Sequence, residues 1–189
     1  MAKSPRERMV SGAAKMISTR GVGPTSVRDV AKLSGAPLGS TYHYFPNGKE
    51  QLVDEAVHLV GRKVERLIRE AAPGGTLAVF DAFVANWRQV LIDGDFRSGC
   101  PVLAVATAEA RADSTAAQSA SDMFGLWETA LVERLADDGV DQDRARRLAW
   151  LVITSLEGAV AVARSRGSTA PLDAVSTEVR AILAAAVRP

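Results

Sequence analysis

The chain has a single cysteine, Cys100, in 189 residues. One thiol excludes an intrachain disulfide framework and argues against a structural zinc site, which needs several thiolate or imidazole ligands. Histidine is scarce too, with only His43 and His58, so neither a metal nor a cofactor is expected. Aromatic residues make up 5% of the chain. No alternating Val/Ile/Thr run bounded by hairpin turns occurs, which leaves no sequence evidence for β-sheet. The longest apolar stretch, Leu148 to Ala163, is interrupted by Thr154, Ser155 and Glu157. It is shorter than the roughly 20 residues a spanning helix needs, so it reads as a buried helix and no membrane partner is expected. Met1 to Arg8 is charged and lacks the apolar core of a secretory signal, and the expected location is cytoplasmic. Net charge is nearly absent as well, at +1.

What is present is the composition of a folded protein, with 47% hydrophobic and 24% charged residues. A chain of this length removes roughly 70% of its unfolded surface from water. Its charge is unevenly placed. Residues 1–50 hold eight cations against three anions, a local excess of +5, and the remainder carries −4. A basic head on a mildly acidic body points to a polyanion-binding N-terminus.

The pattern is helical throughout, and about nine helices are expected. Ser4-Pro5-Arg6-Glu7 is a capping box with proline at N1. Met9, Val10, Ala13, Ala14 and Ile17 then lie on one face, and Gly21 stops the helix. A short helix from Thr25 or Ser26 ends at Ser34-Gly35. Another runs from about Ala36-Pro37 to Phe45, where Pro46-Asn47-Gly48 breaks it. A long helix follows from Lys49 to about Ala72. The body is read as helices over Thr76 to Ile92, Pro101 to about Arg111, Ser114 to Ala136, Gln142 to Arg166 with Asp141 as cap, and Pro171 to about Val187.

Two short helices joined by Leu33-Ser34-Gly35-Ala36 form a helix-turn-helix pattern, whose second helix lies in the DNA major groove. Thr25, Ser26 and Arg28 cluster where free helix amides favour a phosphate, and Arg28 is long enough to reach a guanine edge. The second helix offers Pro37, Leu38, Gly39, Ser40, Tyr42, His43 and Tyr44, and Gly39 lets the backbone come close. Lys49 can clamp a phosphate. Phe45 and Thr41 are read as inward-facing.

Residues 25–52, from Thr25-Ser26-Val27-Arg28 through Tyr42-His43-Tyr44-Phe45 to Leu52, resemble the DNA-binding signature of the TetR family. Pro5 to Arg20 resembles the helix that precedes it. The resemblance implies an all-α protein with a three-helix DNA-binding head at 1–48. It also implies a helical ligand-binding and dimerisation body at 49–189. By position, Arg28, Leu38, Gly39, Ser40, Tyr42, His43, Tyr44 and Lys49 become the DNA-facing set. Three residues, Pro46-Asn47-Gly48, separate Phe45 from Lys49 where the family usually has one or two. With Gly99-Cys100-Pro101, this resembles the LmrA/YxaF-like branch, which implies drug-like or flavonoid-like aromatic ligands. Thr41 stands where a larger aliphatic is usual, which would loosen the packing beneath the recognition helix.

In the body, Phe80, Phe83 and Trp87 share one helix face and Phe124 and Trp127 share another. With Trp150, Cys100 and Leu103 they are the candidates to line a cavity for a flat apolar ligand. Aromatic stripes at this spacing also fill cores. Asn86, Arg88, Thr107, Glu109, Gln118 and Glu157 are the possible polar anchors. The dimerisation candidates are Leu148, Leu151, Val152, Ser155, Leu156, Ala159 and Val162, with Val175, Val179 and Ile182 on the last helix. Such a seam gives a four-helix bundle across a two-fold axis. The expected partners are an operator in double-stranded DNA, a small-molecule effector and a second copy of the chain. An enzyme is disfavoured because no nucleophile–base set is visible, Cys100 and His43 being read as parts of different units. A helical ligand-binding adaptor without DNA binding is the other alternative.

Overall fold

The computed structural model describes residues 3–108 and 114–187. The side chains of Leu38 and Ser40, together with Glu109 and Arg111, lie outside that description. Nine α-helices and one 3-10 turn occur among the described residues, with no strand.

Helix α1 spans Pro5–Arg20 and starts on the capping box. The Glu7 amide donates to Ser4 Oγ at 3.2 Å, and the Ser4 amide donates to Glu7 Oε2 at 2.7 Å. Helix α2, Val27–Ser34, is capped by Ser26 and ends at Gly35, whose φ of 60° is the left-handed conformation that glycine adopts freely. Helix α3 is Leu38–Tyr44, and α4 is Gly48–Ala71, followed by a 3-10 turn at Ala72–Gly74. Then come α5 (Gly75–Asp93), α6 (Pro101–Ala106), α7 (Thr115–Asp137), α8 (Gln142–Arg166) and α9 (Ala170–Ala186). Helix α6 stops short of the length expected, with Thr107 at its C-cap bonding back to Leu103.

The chain divides into two compact units, Met1–Arg62 with Cys100–Met123, and Lys63–Gly99 with Phe124–Pro189. The head expected from the sequence ends at residue 48. The compact unit that holds the head extends further because the start of α4 packs into it. Leu52, Val53, Ala56 and Val57 are buried, and Glu55 pairs with Arg6 at 2.7 Å. Helix α6 also packs on α1. Cys100 therefore shares a unit with His43, contrary to expectation.

In the first unit, α2 approaches α1 closely because position 12 is glycine. A Cβ there would stand 2.3 Å from Ser34 Oγ. That hydroxyl donates to the Arg8 carbonyl at 3.1 Å, and Arg8 Nε donates to the Ser34 carbonyl at 3.1 Å. Phe45 is fully buried, with the Arg6 guanidinium 5.5 Å from its ring centroid. Thr41 is buried beside the same core.

In the second unit, α5 packs on α8 and α9, and α8 on α9. Arg180 forks onto Asp81 at 2.8 and 3.0 Å, Arg88 pairs with Asp173, and Arg69 pairs with Glu65 and Glu133. The Thr76 amide donates to Asp138 at 2.7 Å, and Arg134 pairs with the same carboxylate. Asp141 caps α8 by accepting from the amides of Asp143 and Arg144. Helix α8 is long and apolar enough to cross a membrane by length and composition alone, and half of its most apolar window is buried inside the protein. A buried core helix passes the same test.

Candidate nucleic-acid interface

The α2-turn-α3 corner presents a well-defined outer surface. Tyr42 is 79% exposed, the largest exposure among the described large apolar side chains. His43 beside it is exposed, Tyr44 is half-buried, and their rings lie 5.8 Å apart. Pro37, Gly39 and Arg28 are exposed. A Cβ placed on Gly39 would meet nothing within 4 Å, so the space in front of this backbone is open. The surface combines a guanidinium, an imidazole, a phenol and bare backbone, the groups that read base edges and phosphates.

Three expected contacts have other work in the structure. Thr25 is buried, its hydroxyl donates to the Gly21 carbonyl at 2.8 Å and its amide donates to Val22. Its side chain is thus not presented to a phosphate. Ser26 accepts from the Asp29 amide at 3.1 Å and donates to the Asp29 carboxylate at 2.6 Å, which makes it a helix cap. Lys49 Nζ donates to the Gly23 carbonyl at 3.0 Å and ties the start of α4 to the loop before α2. Residue type alone does not separate a hydroxyl that caps a helix from one that binds phosphate.

The aromatic candidates of the body are placed differently from one another. Phe80, Phe83, Trp87 and Trp127 are buried, Phe124 is half-buried, and Trp150 is 40% exposed. Phe83 and Phe124 both meet Trp127 edge-on, at 6.3 and 5.2 Å. Cys100 and Leu103 belong to the other compact unit, where Cys100 Sγ accepts from the Leu103 amide at 3.4 Å. Of the polar candidates, Thr107 and Gln118 are exposed, Asn86 is half-buried and Glu157 is buried. Glu109 lies outside the described residues. Arg88 lines a groove of about 420 Å³ between α5 and α9, together with Phe80, Asp81, Val84, Ala85, Gln89, Ser176, Thr177 and Arg180. The sequence reading missed this groove, because its walls are brought together by pairs more than 80 residues apart such as Arg88–Asp173 and Arg180–Asp81.

A profile of bacterial regulatory proteins of the tetR family matches residues 10–56, which contain this corner. A profile of the C-terminal domain of LmrA/YxaF-like transcriptional regulators matches residues 76–178, more than half of the chain. The chain belongs to the TetR family of transcriptional regulators. An uncharacterized HTH-type transcriptional regulator of Mycobacterium tuberculosis is 42% identical over 97% of this chain and 96% of its own length. The HTH-type regulator YxaF of Bacillus subtilis is 27% identical over 92% of each chain. A crystal structure of a TetR transcriptional regulator from Legionella pneumophila superposes with a TM-score of 0.86 at 19% identity, covering 96% of this chain and 98% of its own, which shows the shared fold. The α2-turn-α3 corner is thus part of the DNA-binding domain of a TetR-family transcriptional regulator, and the family consists of regulators rather than enzymes.

The dimerisation candidates of this TetR-family chain divide by burial. Leu148, Val152, Leu156, Ala159 and Val179 are buried within the chain itself, so they fill its core and are not free to meet a partner. Leu151, Ser155 and Val175 are half-buried. Val162 and Ile182 are 49% and 44% exposed. The outward stripe of α8 is Trp150, Thr154, Gly158, Ala161 and Val162, and that of α9 is Ala174, Glu178, Ala181 and Ile182.

Proposed function

We propose that this regulator is a cytoplasmic repressor. It binds a near-palindromic operator as a homodimer and leaves it when a small apolar aromatic ligand binds the body. The observation that carries the reading is the surface of the α2-turn-α3 corner, with Tyr42 and His43 projecting from α3 and Arg28 from α2. Pro37, Gly39 and Tyr44 complete the contact, Leu38 and Ser40 are assigned to it by sequence position, and Lys49 supports it by holding the loop before α2. Residues 1–48 act as the DNA-binding head and 49–189 as the body.

Homodimerisation is supported by the exposed apolar groups of α8 and α9, Trp150, Val162 and Ile182. Small neighbours at Gly158, Ala161 and Ala181 allow helices to approach closely. A two-fold dimer presents two recognition helices to two half-sites, which is why the operator is expected to be near-palindromic. Effector binding is supported by the apolar ring cluster of Phe83, Phe124 and Trp127 and, separately, by the α5–α9 groove, whose volume lies in the range of small-molecule sites. Helix α4 is continuous from the head into the second unit, and α6 packs on α1. These elements allow ligand-dependent packing to change the spacing of the recognition helices. The ligand acts only through its different affinity for the two spacings.

Fluorescence anisotropy of the purified protein on DNA from upstream of its own gene tests this reading. Binding there is expected to be about 10³-fold or more tighter than on scrambled DNA of the same length. Equal affinity for both at low salt would leave a ligand-binding adaptor as the better description.

A further inference from the structure

We propose that Arg8, Gly12 and Ser34 form a clasp that seats the helix-turn-helix corner on α1, and that Arg8 is thereby a positioning residue for operator recognition, although it lies outside the DNA-facing set. The proposal rests on the operator reading above and adds to it the contacts that aim the recognition helix.

The recognition helix has little of its own to hold it. It is seven residues long, and Pro37 at its N-cap makes no side-chain capping bond. A helix this short is not stable alone in water, so α3 takes its position from what it packs on. It packs on α2, and α2 packs on α1. The seat of α2 and its turn on α1 is therefore carried through to Tyr42 and His43.

Three residues fix that seat. Gly12 lies in the interior of α1, where glycine is a poor helix former. The close approach of α2 explains it. A Cβ at position 12 would stand 2.3 Å from Ser34 Oγ, while the next nearest atoms, Val30 Cγ1 and Ser34 Cβ, would be in ordinary contact at 3.6 and 3.7 Å. The Ser34 hydroxyl cannot turn away without losing its bond to the Arg8 carbonyl, at 3.1 Å. In return, Arg8 Nε donates to the Ser34 carbonyl at 3.1 Å, and Arg8 Nη1 donates to the Lys3 carbonyl at 3.1 Å. Ser34 is the last residue of α2. The guanidinium thus pairs a carbonyl that the helix itself leaves open and places a positive charge at its negative end. One side chain ties the segment before α1 to the turn of the corner. Base edges are read by directed contacts, whereas attraction to phosphates is independent of sequence. A shifted corner should lose the first and keep the second.

Fluorescence anisotropy of the full-length protein, on DNA from upstream of its own gene and on scrambled DNA of the same length, separates the two. Gly12→Ala is expected to weaken operator binding at least ~10-fold and to leave binding to scrambled DNA unchanged. Ser34→Ala clears space for the added methyl group, so Gly12→Ala/Ser34→Ala is expected to bind the operator within about threefold of Ser34→Ala alone. Arg8→Met keeps the aliphatic stem and removes the donors. It is expected to lose ~10-fold on the operator with an unchanged slope of log affinity against log salt, because no phosphate contact goes with it. Arg8→Lys keeps a donor that cannot span both carbonyls, and is expected to fall between Arg8→Met and the wild type. Each titration is run below the variant's unfolding temperature, so loss of folded protein does not enter; if Gly12→Ala does not fold, the two Arg8 variants decide. Wild-type operator affinity in Gly12→Ala or Arg8→Met would overturn the clasp. So would equal losses on both DNAs, no recovery in the double variant, or a salt slope shallower by about one in Arg8→Met. A wild type that binds both DNAs equally would instead count against the operator reading itself.

Discussion

Lys49 Nζ reaches back from the first turn of α4 and donates to the carbonyl oxygen of Gly23 at 3.0 Å. One side chain thereby fixes the loop that delivers α2 to the helix-turn-helix corner. A lysine that bound only phosphate would contribute about one counterion to the salt dependence of DNA binding. Lys49→Ala is therefore expected to weaken operator binding while leaving the slope of log affinity against log salt nearly unchanged. Anisotropy titrations at several salt concentrations measure both quantities, and a slope shallower by about one would return Lys49 to the role of phosphate clamp.

Gly39 separates stability from recognition. Its backbone is helical, and nothing lies within 4 Å of the position a Cβ would take. Alanine is favoured over glycine inside a helix by about 0.8–1 kcal/mol. Gly39→Ala is expected to leave the melting temperature unchanged or raise it, and to lower operator affinity by inserting a methyl group at the DNA surface. Unaltered DNA binding would place this turn of α3 away from the groove.

Tyr42 projects from the corner with 79% of its surface exposed. Tyr42→Ala is expected to lose about 1–3 kcal/mol of operator affinity and to change folding stability by less than about 0.5 kcal/mol. Phe45, one turn of chain away and fully buried, is expected to do the reverse. Phe45→Ala should cost about 3–5 kcal/mol of stability through the cavity it leaves, as read by chemical denaturation.

Val162 is 49% exposed on α8, so a charge there leaves the chain's own core intact. Val162→Glu is expected to yield a folded monomer by sedimentation and, with it, a loss of tight operator binding. A dimer of wild-type stability would move the interface off the outward stripe of α8.

Asp138 supplies a pH dependence with a definite sign. Burial raises its carboxyl, but the Thr76 amide and the Arg134 guanidinium outweigh that effect and hold it below the ordinary value of 3.8. A carboxylate with a depressed folded-state value stabilises the fold above its unfolded value, and that contribution is lost as pH falls through the folded value. Thermal unfolding between about pH 5 and pH 3 should therefore show a shallower decline for Asp138→Asn than for the wild type. The variant should also be the less stable of the two at neutral pH.

Local chemistry made the helices legible in the sequence. Ser4 with Glu7, Ser26, Asp141, Gly35 and Gly167 mark helix ends through groups within a few residues of one another, and all of them stand at the ends expected. The outward face of α8 was less legible. Leu148, Val152 and Leu156 form one apolar stripe, while Trp150, Gly158 and Val162 form another on the same helix. Periodicity groups residues into faces, but it does not say which face meets the chain's own core. The α5–α9 groove and the Lys49–Gly23 bond were hidden for a related reason. Each depends on a tertiary contact that leaves no local signature.

Two α2-turn-α3 corners of a homodimer are expected to read one operator. Hydroxyl-radical footprinting on DNA upstream of the gene tests it most directly. Two protected half-sites of inverted sequence are expected, with centres one helical turn or a multiple of it apart, about 34–36 Å per turn. Both should be lost together in Tyr42→Ala. A single unpaired protected site, or protection that Tyr42→Ala leaves untouched, would contradict it.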